Sequence, residues 1–329
     1  MDANITVPIK NVAVVGAGTM GGGIAQVFAL GGYNVRITDT DSIALNLALV
    51  RIQQSLNAMT EASFISRAEA QQASEQIVAV PDLQAAVREL EIVTECIPEK
   101  LELKQEMFAK LENLAPSDAV LASNTSSLSL SEIGKLLREK SRLIITHYFN
   151  PAHILRTVEV VVCPATSASV INRVCRLLTS VGKMPIVLRK EIRGFIVNRI
   201  QAAMVRQALF LVDQGVTTPE ELDRAIQGSI GPRLALLGPF RVMDWGGLDV
   251  WAEVMRNLFP QLSDHHGVPP AMEEKLSCKH LGVKSGHGFY DWSSETCAQM
   301  TNRLQRQLMQ IQIGFDVPFQ LAVNWRLEE

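Results

Sequence analysis

Residues 11–26 constrain the fold of this chain more than any other stretch. They begin as a β-branched apolar run and turn on glycines directly into a helical pattern. Gly16, Gly18 and Gly21 stand in the G-x-G-x-x-G register, in which the first glycine permits a tight turn, the second lets a pyrophosphate approach the backbone, and the third lets helix and strand pack closely. The free N–H groups and the dipole of the helix would face the phosphates. We therefore predict a dinucleotide site formed by Gly16, Gly18, Thr19, Met20 and Gly21.

An acidic residue follows the second predicted strand. That strand covers residues 34–38 and ends at Asp39, a little over twenty residues beyond Gly16. A carboxylate at this point accepts hydrogen bonds from a ribose 2′-hydroxyl and repels a 2′-phosphate. Glycine turns also join strands to helices for purely structural reasons, but here strand, turn, helix and acidic residue coincide. The pattern favours NAD over NADP, and nothing later in the chain indicates a flavin.

Strand and helix patterns alternate through the first 190 residues. After the first two strands, strand-like runs follow at residues 76–80, 91–95, 119–122, 143–147, 157–162 and 184–188, with helical patterns between most of them. This alternation predicts the α/β class, with a doubly wound Rossmann-type sheet and helices on both faces. Less helix separates the final two strands from the earlier ones, so an antiparallel or edge segment is expected there. Residues 41–75, without Gly or Pro, predict a helical excursion between two strands.

A second, helical domain is predicted after a change of composition near residues 189–193. Beyond them the strand signal almost disappears, and helical patterns occupy residues 195–214, 219–228, 249–259 and 295–312. We predict an NAD-binding domain at 1–190 and a helical domain at 191–329. Three aromatic residues of the tail are interpreted as packing or dimer contacts: Phe315, Phe319 and Trp325.

Composition excludes several classes of function. The chain has 31 basic and 34 acidic residues, a net charge of -3, and no long run of one sign, so no footprint for nucleic acid or an anionic membrane is present. No apolar run approaches the roughly 20 residues of a membrane span, and the first residues lack the pattern of a signal peptide. We expect a cytoplasmic protein. The five scattered cysteines include no C-x-x-C pair and predict neither a disulfide framework nor a metal site.

Polar residues that follow predicted strands are the first candidates for a site, because ligands of doubly wound sheets bind beyond the carboxyl ends of the strands. His147 ends one strand, and oxidation of a secondary alcohol needs a base that works near neutral pH. A histidine in this position is often only structural. Glu159, however, lies inside Thr-Val-Glu-Val-Val, where a carboxylate is costly to bury unless it is paired. Pairing with His147 would fix the imidazole tautomer and stabilise the imidazolium.

Several motifs occur in one order along the chain. They are Gly-Ala-Gly-Thr-Met-Gly at 16–21, Ser-Asn-Thr-Ser-Ser at 123–127, His-Tyr-Phe-Asn-Pro at 147–151, Gly-Phe-Ile-Val-Asn-Arg at 194–199 and Lys-Ser-Gly-His-Gly-Phe-Tyr at 284–290. The series closely resembles the L-3-hydroxyacyl-CoA dehydrogenase family over about residues 10–292. The resemblance implies a Rossmann-type domain followed by an all-helical domain that forms a homodimer interface. It also implies reversible, NAD-dependent oxidation of a 3-hydroxyacyl substrate, and a place in fatty acid metabolism.

Site residues follow from the same resemblance. The catalytic pair of the family falls on His147 and Glu159, and the polar residues that hold the substrate fall on Ser126 and Asn198. Without the resemblance, Ser126 would be interpreted as a turn or cap serine and Asn198 as a helix-surface asparagine. The implied NAD contacts, beside the glycine turn and Asp39, are Glu99, Lys104, Ser126, Asn150 and Lys284. Glu99 and Lys104 would also fit an exposed, charged helix face.

The substrate class has two candidates. In the family, basic residues on the helical excursion help to hold the CoA phosphates, but here Arg51 and Arg67 are the only ones, and Ser55 matches a CoA-contacting serine. The chain is also similar to lambda-crystallin and gulonate 3-dehydrogenase, which belong to the same superfamily and act on free hydroxy acids. The first prediction is a 3-hydroxyacyl-CoA, and the alternative is a free hydroxy acid resembling gulonate or carnitine, whose carboxylate Arg156 could meet. A crystallin-like protein that binds NAD without turnover is a third hypothesis.

Overall fold

A computed structural model describes residues 10–314. They fall into two compact units, the first made of the residues up to Ile196 together with those from Asn302, and the second of Val197–Thr301. The sequence division placed every residue after 190 in the second domain, whereas in the structure the last helix continues from the second unit into the first. Phe315, Phe319 and Trp325 lie outside the described residues.

The first unit is built on one eight-stranded sheet. Its strands are β1 Asn11–Val15, β2 Asn34–Thr38, β3 Ile77–Ala79, β4 Ile92–Glu95, β5 Val120–Ser123, β6 Leu143–Tyr148, β7 Thr157–Val161 and β8 Met184–Leu188. They lie in the order β3-β2-β1-β4-β5-β6-β7-β8. Every neighbouring pair is parallel except β6 and β7, which are antiparallel. The predicted doubly wound sheet is confirmed, and so is an antiparallel segment near its end.

Helices cover both faces of this sheet. They are α1 Thr19–Leu30, α2 Ser42–Glu61, α3 Arg67–Glu75, α4 Leu83–Val87, α5 Leu101–Leu114, α6 Leu130–Ile133 and α7 Ala168–Ser180. Alternate strand residues point to opposite faces and enter two separate buried clusters, one against α1, α2, α3 and α7 and the other against α4, α5 and α6. Because both faces are covered, the inner strands consist almost entirely of buried residues.

The helical excursion between β2 and β3 is two helices rather than one. Asp41 caps α2, since its carboxylate accepts the Ile43 N–H at 2.8 Å. Ser66 and Glu69 form a capping box that starts α3. Between the helices Ser63 adopts a φ of +56°, which is uncommon for a residue other than glycine. The sequence contained the capping box as a signal for this break, even without Gly or Pro.

The second unit contains helices and no strand among its described residues. Its helices are α8 Val197–Asp213, α9 Pro219–Gly228, α10 Ile230–Gly246, α11 Leu248–Leu258, α12 Pro270–Ser277 and the beginning of α13 Ser294–Gly314. Helix α10 was not predicted because it is interrupted at Gly238, where φ is +71°, directly before Pro239. Helix α12 was not predicted either. Over residues 10–314, no helix has the length and apolarity needed to cross a bilayer.

Candidate active site

The glycine turn between β1 and α1 is shaped by close backbone contacts. Gly16 has a φ of +105°, and a Cβ there would lie 2.7 Å from the carbonyl carbon and oxygen of Cys96, just after β4. A Cβ on Gly21 would lie 1.8 Å from the Gly16 oxygen. A Cβ on Gly18, by contrast, would meet no described heavy atom within 4 Å. The fold itself therefore requires glycine at 16 and 21, while Gly18 leaves room for a phosphate to reach the backbone.

Asp39 lies at the carboxyl end of β2 and holds the glycine turn. Its Oδ2 accepts the Ala17 N–H at 2.6 Å, and its Oδ1 accepts the Asp41 N–H at 3.0 Å. The Ala17 carbonyl in turn accepts a hydrogen bond from the guanidinium of Arg51 on α2, at 2.8 Å. Gly18 and Thr19 are exposed where α1 begins, and Met20 is half-buried. An exposed helix N-terminus with an acidic residue on the adjacent strand fits the pyrophosphate and ribose of NAD.

Glu95 and Lys104 form a buried ion pair where β4 ends. Lys104 Nζ lies 2.7 Å from Glu95 Oε1, and the two side chains are 1% and 0% exposed. Glu95 Oε2 accepts the Ser123 hydroxyl at 2.6 Å, and Glu95 Oε1 accepts the Ile97 N–H at 2.7 Å. Lys104 therefore does not lie on an exposed charged face. The sequence marked the stretch from Glu95 to Lys104 as a candidate cluster, but the residues assigned to NAD were Glu99 and Lys104 and not Glu95.

Glu99 links this pair to the loop after β5. Its Oε1 accepts the Thr125 hydroxyl at 2.5 Å and the backbone N–H groups of Ser126 and Ser127 at 2.9 and 3.1 Å, while Lys104 Nζ lies 3.4 Å from Oε2. Burial raises the pKa of Glu99, but the hydrogen bonds and the Lys104 charge prevail and hold that pKa below its usual value. Glu99 is therefore a carboxylate that lies beside the loop after β5 and holds the Ser126 backbone through a hydrogen bond.

His147 and Glu159 face each other across the antiparallel pair of β6 and β7. The two residues are direct register partners, and His147 Nδ1 lies 2.8 Å from Glu159 Oε2. The histidine is 4% exposed and the glutamate 1% exposed. The second carboxylate oxygen accepts the Ile196 N–H at 2.9 Å. The predicted pairing of these side chains is present, and the carboxylate engages Nδ1 of the imidazole rather than Nε2.

The four remaining candidate residues are divided between the two units. Ser126 and Asn150 are exposed and follow β5 and β6, the strands whose carboxyl ends carry Ser123 and His147. Asn198 and Lys284 belong to the second unit. Asn198 is half-buried in the first turn of α8, and Lys284 is exposed between α12 and α13. The roles of these four residues stay predictions.

Comparison with protein families identifies this architecture. The family model described as the NAD-binding domain of 3-hydroxyacyl-CoA dehydrogenase matches residues 11–192, and the model of the C-terminal domain of the same enzyme matches residues 194–292. The chain belongs to the 3-hydroxyacyl-CoA dehydrogenase family. It is an NAD-dependent oxidoreductase, as its relatives in this family are.

Relatives within the family differ in substrate. The chain is 30% identical to 5-formyl-3-hydroxy-2-methylpyridine 4-carboxylate 5-dehydrogenase of Mesorhizobium japonicum, over 92% of this chain and 97% of that protein. It is 34% identical to a probable 3-hydroxybutyryl-CoA dehydrogenase of Bacillus subtilis, over 88% and 99%. It is 28% identical to rabbit (Oryctolagus cuniculus) lambda-crystallin, over 91% and 97%.

The solved structures include a similar fold over nearly the whole chain. A structure of the pyridine-carboxylate dehydrogenase, described as an NAD+-dependent dismutase, superposes with a TM-score of 0.88 at 28% identity, covering 94% of this chain and 99% of that one. The pattern of one sheet and a helical C-terminal part is thus shared with an enzyme that uses NAD.

Proposed function

We propose that this chain oxidises a secondary alcohol β to a carboxyl or thioester carbon, with NAD as the hydride acceptor and His147 as the general base. The observation that carries the proposal is the buried 2.8 Å contact between His147 Nδ1 and Glu159 Oε2 at the carboxyl end of β6. A base in this position needs a fixed orientation and a partner for the charge it acquires. Both requirements are met by a carboxylate that is itself anchored by the Ile196 N–H.

The proton follows a short route in this proposal. Glu159 holds the neutral imidazole with its proton on Nδ1, so the Nε2 lone pair accepts the hydroxyl proton of the substrate. The carboxylate then stabilises the imidazolium that results. NAD, when bound, supplies the hydride acceptor at its nicotinamide ring. In the reverse direction the imidazolium returns the proton to the carbonyl oxygen as hydride arrives at carbon, so the same pair serves both directions.

Other residues are assigned supporting roles. Ser126 and Asn198 position the substrate oxygens, and NAD contacts are assigned to the glycine turn, Asp39, Glu99, Ser126, Asn150 and Lys284. For Lys104 the contacts favour an indirect role, because its ammonium group lies against Glu95, Glu99 and the Ile97 carbonyl. Lys104 would then act on NAD through Glu99 rather than by touching it.

A 3-hydroxyacyl-CoA is the substrate that the family name and the Bacillus subtilis relative support. This substrate would place the reaction in fatty acid metabolism. In this substrate the hydroxyl-bearing carbon is β to the thioester carbonyl, and Ser126, which follows β5, supplies a hydroxyl for a substrate oxygen. Location in the cytoplasm stays a prediction.

A free hydroxy acid is the second candidate, and the charge of the helical excursion favours it. Between residues 41 and 75 the chain carries Asp41, Glu61, Glu69 and Glu75 against Arg51 and Arg67, four acidic side chains and two basic ones. Arg51 is engaged with the Ala17 carbonyl, and Ser55 with His153 Nε2 at 3.1 Å. Phosphates are usually held by Arg or Lys, and this surface offers few. The relative from Mesorhizobium japonicum is named for a substrate with a free carboxylate and no CoA, which supports a substrate without CoA here.

A spectrophotometric assay of NADH formation separates the candidates. Purified protein is given NAD with 3-hydroxybutyryl-CoA, gulonate or carnitine, and His147→Gln serves as the matched inactive control. Turnover of the thioester that is lost in the control supports the first candidate, and turnover of the free acids alone supports the second. NADH binding without turnover of any hydroxy substrate would overturn the proposed reaction and leave the crystallin-like hypothesis.

We also propose that the helical unit forms a homodimer. Large apolar side chains are exposed along its helices, among them Trp245 at 86%, Phe240 at 76%, Leu248 and Phe259 at 60% each. Among the described residues of the helical unit, Leu209 is the one apolar residue that is buried. Extensive apolar exposure of this kind marks a protein interface, and a second copy of the chain is the partner the family leads us to expect. Sedimentation at micromolar concentration tests this, and a monomer would contradict it.

A further inference from the structure

Phe195 has a backbone conformation that is uncommon for a residue with a side chain. Its φ is +52°, directly after Gly194 with a φ of +77°. The Phe195 N–H donates to the Ile192 carbonyl at 3.0 Å, which closes the turn. Left-handed backbone is disfavoured for bulky residues and persists where the surroundings hold it in place. A glycine would adopt this turn without strain, so the presence of a large ring calls for a reason.

The ring of Phe195 lies against the imidazole of His147. It is 2% exposed, and the two ring centroids are 5.3 Å apart with their planes at 58°. Phe149 provides a second ring at 4.6 Å from the imidazole, at 62°. Both distances and angles are those of favourable tilted aromatic pairs. The imidazole is therefore packed by two aromatic rings in addition to its hydrogen bond with Glu159.

The same turn also supports the carboxylate partner. The residue after Phe195 is Ile196, whose N–H donates to Glu159 Oε1 at 2.9 Å, while Oε2 of that carboxylate contacts His147 Nδ1. One turn thus contacts both members of the pair, through a side chain on one and a backbone N–H on the other. The left-handed φ at Phe195 is the local condition that lets both contacts come from consecutive residues.

We propose that Phe195 is a positioning residue for His147. Its ring limits rotation of the imidazole, so that Nδ1 stays on Glu159 and Nε2 keeps one direction toward the substrate. Small displacements of reacting groups cost large factors in rate. The catalytic consequence rests on the proposed function, whereas the fixed orientation of the imidazole is a property of the protein by itself.

The test compares two variants that remove the ring in different ways. Phe195→Gly removes the ring and also removes the backbone strain, so it is expected to fold. Phe195→Leu keeps an apolar side chain but not the aromatic packing. Phe108→Leu is the matched control, because Phe108 is fully buried in the same core cluster, whereas the phenylalanine rings against the imidazole in the described part of the chain are those of Phe149 and Phe195. Phe108→Leu therefore measures how much the imidazole tautomer and kcat change when a buried phenylalanine with only a structural role loses its packing.

Two measurements decide the result. The first is the ¹⁵N NMR signal of the His147 ring, assigned among the six histidines by its loss in His147→Gln. The second is kcat on the substrate that the wild-type protein turns over, together with the Kd for NADH. We expect both Phe195 variants to show a mixture of imidazole tautomers and a fall in kcat of about tenfold or more, with the NADH Kd nearly unchanged. Phe108→Leu is expected to keep the wild-type tautomer.

The proposal is overturned if either folded variant keeps a single Nδ1-protonated tautomer and a kcat close to the wild-type value. It is also overturned if Phe195→Leu alone is impaired, because Phe195→Gly would then show that the imidazole keeps its orientation without the ring. Should Phe195→Leu fail to fold, Phe195→Gly decides alone. A wild-type protein without turnover would contradict the proposed function, while the NMR comparison would still test the orientation of His147.

Discussion

The backbone oxygen of Gly16 lies 1.8 Å from the position that a Cβ on Gly21 would take, whereas a Cβ on Gly18 would meet no described atom within 4 Å. The packing of the turn therefore requires glycine at position 21, whereas no contact among the described residues requires it at position 18. We predict that Gly21→Ala destabilises the fold by about 1–3 kcal/mol or more, because the contact forces helix α1 away from β1. Denaturant unfolding measures this loss.

Gly18→Ala is the matched variant at the second glycine. We predict near-wild-type stability but an NADH Kd raised by about tenfold or more, because the added methyl group stands where the pyrophosphate approaches the backbone. Fluorescence titration with NADH measures this affinity. Unchanged NADH affinity in a folded Gly18→Ala protein would remove the phosphate-binding role assigned to this turn.

The pair of His147 and Glu159 is predicted to act as one unit. Glu159→Gln keeps the shape of the side chain but removes the charge that stabilises the imidazolium, and we expect kcat to fall by about 10²–10⁴-fold. His147→Gln is expected to lose at least as much. Because both changes disable one base, the double variant should be little worse than His147→Gln alone. Multiplicative losses in the double variant would contradict the assigned pairing.

Lys104→Met is predicted to be strongly destabilising. It would leave the carboxylate of Glu95, which is 0% exposed, without its cationic partner. Removing one member of a buried ion pair typically costs about 3–5 kcal/mol. The double variant Glu95→Gln with Lys104→Met should recover part of this loss, as measured by urea unfolding. Lys110→Met, on an exposed position of the same helix α5, is the control, and an equal loss there would refute the argument.

His153 is predicted to make the protein acid-sensitive. Burial, with a smaller effect of the Lys183 charge, lowers the pKa of His153 from 6.5 to about 4. Between these two values the unfolded chain binds a proton that the folded protein does not, so the free energy of unfolding decreases as pH falls from about 6.5 to about 4. Above pH 6.5 both states are neutral and this contribution is constant.

The measurement is the pH dependence of urea unfolding. His153→Gln should show a shallower slope between pH 6.5 and 4 than the wild-type protein. His266→Gln, at an exposed histidine of the second unit, should keep the wild-type slope. Identical slopes for wild type and His153→Gln would show that this imidazole is not held neutral in the fold.

Much of the first unit could be predicted from local signals. Each strand that the sequence predicted is present within two residues of its expected ends, because β-branched apolar runs bounded by polar turns have few other structures open to them. Helix α10 escaped prediction because Gly238 and Pro239 together are a strong local signal for a break, yet helix continues on both sides of them. The sequence signal for the break between α2 and α3 was the capping box of Ser66 and Glu69, which is a weaker signal for a helix boundary than Gly or Pro.

By itself the sequence determined the strand–turn–helix motif with an acidic residue, Asp39, after the second strand, and it named the two side chains proposed as the base, because these signals depend on residue types within local motifs. The sequence predicted an antiparallel or edge segment near the last strands, and only the tertiary structure decided the register of β6 and β7 that places His147 opposite Glu159. It also decided that Lys104 is buried on Glu95 and that Phe195 packs on the imidazole. These contacts depend on how strands, helices and turns pack against one another, which residue types and spacing along the chain do not specify.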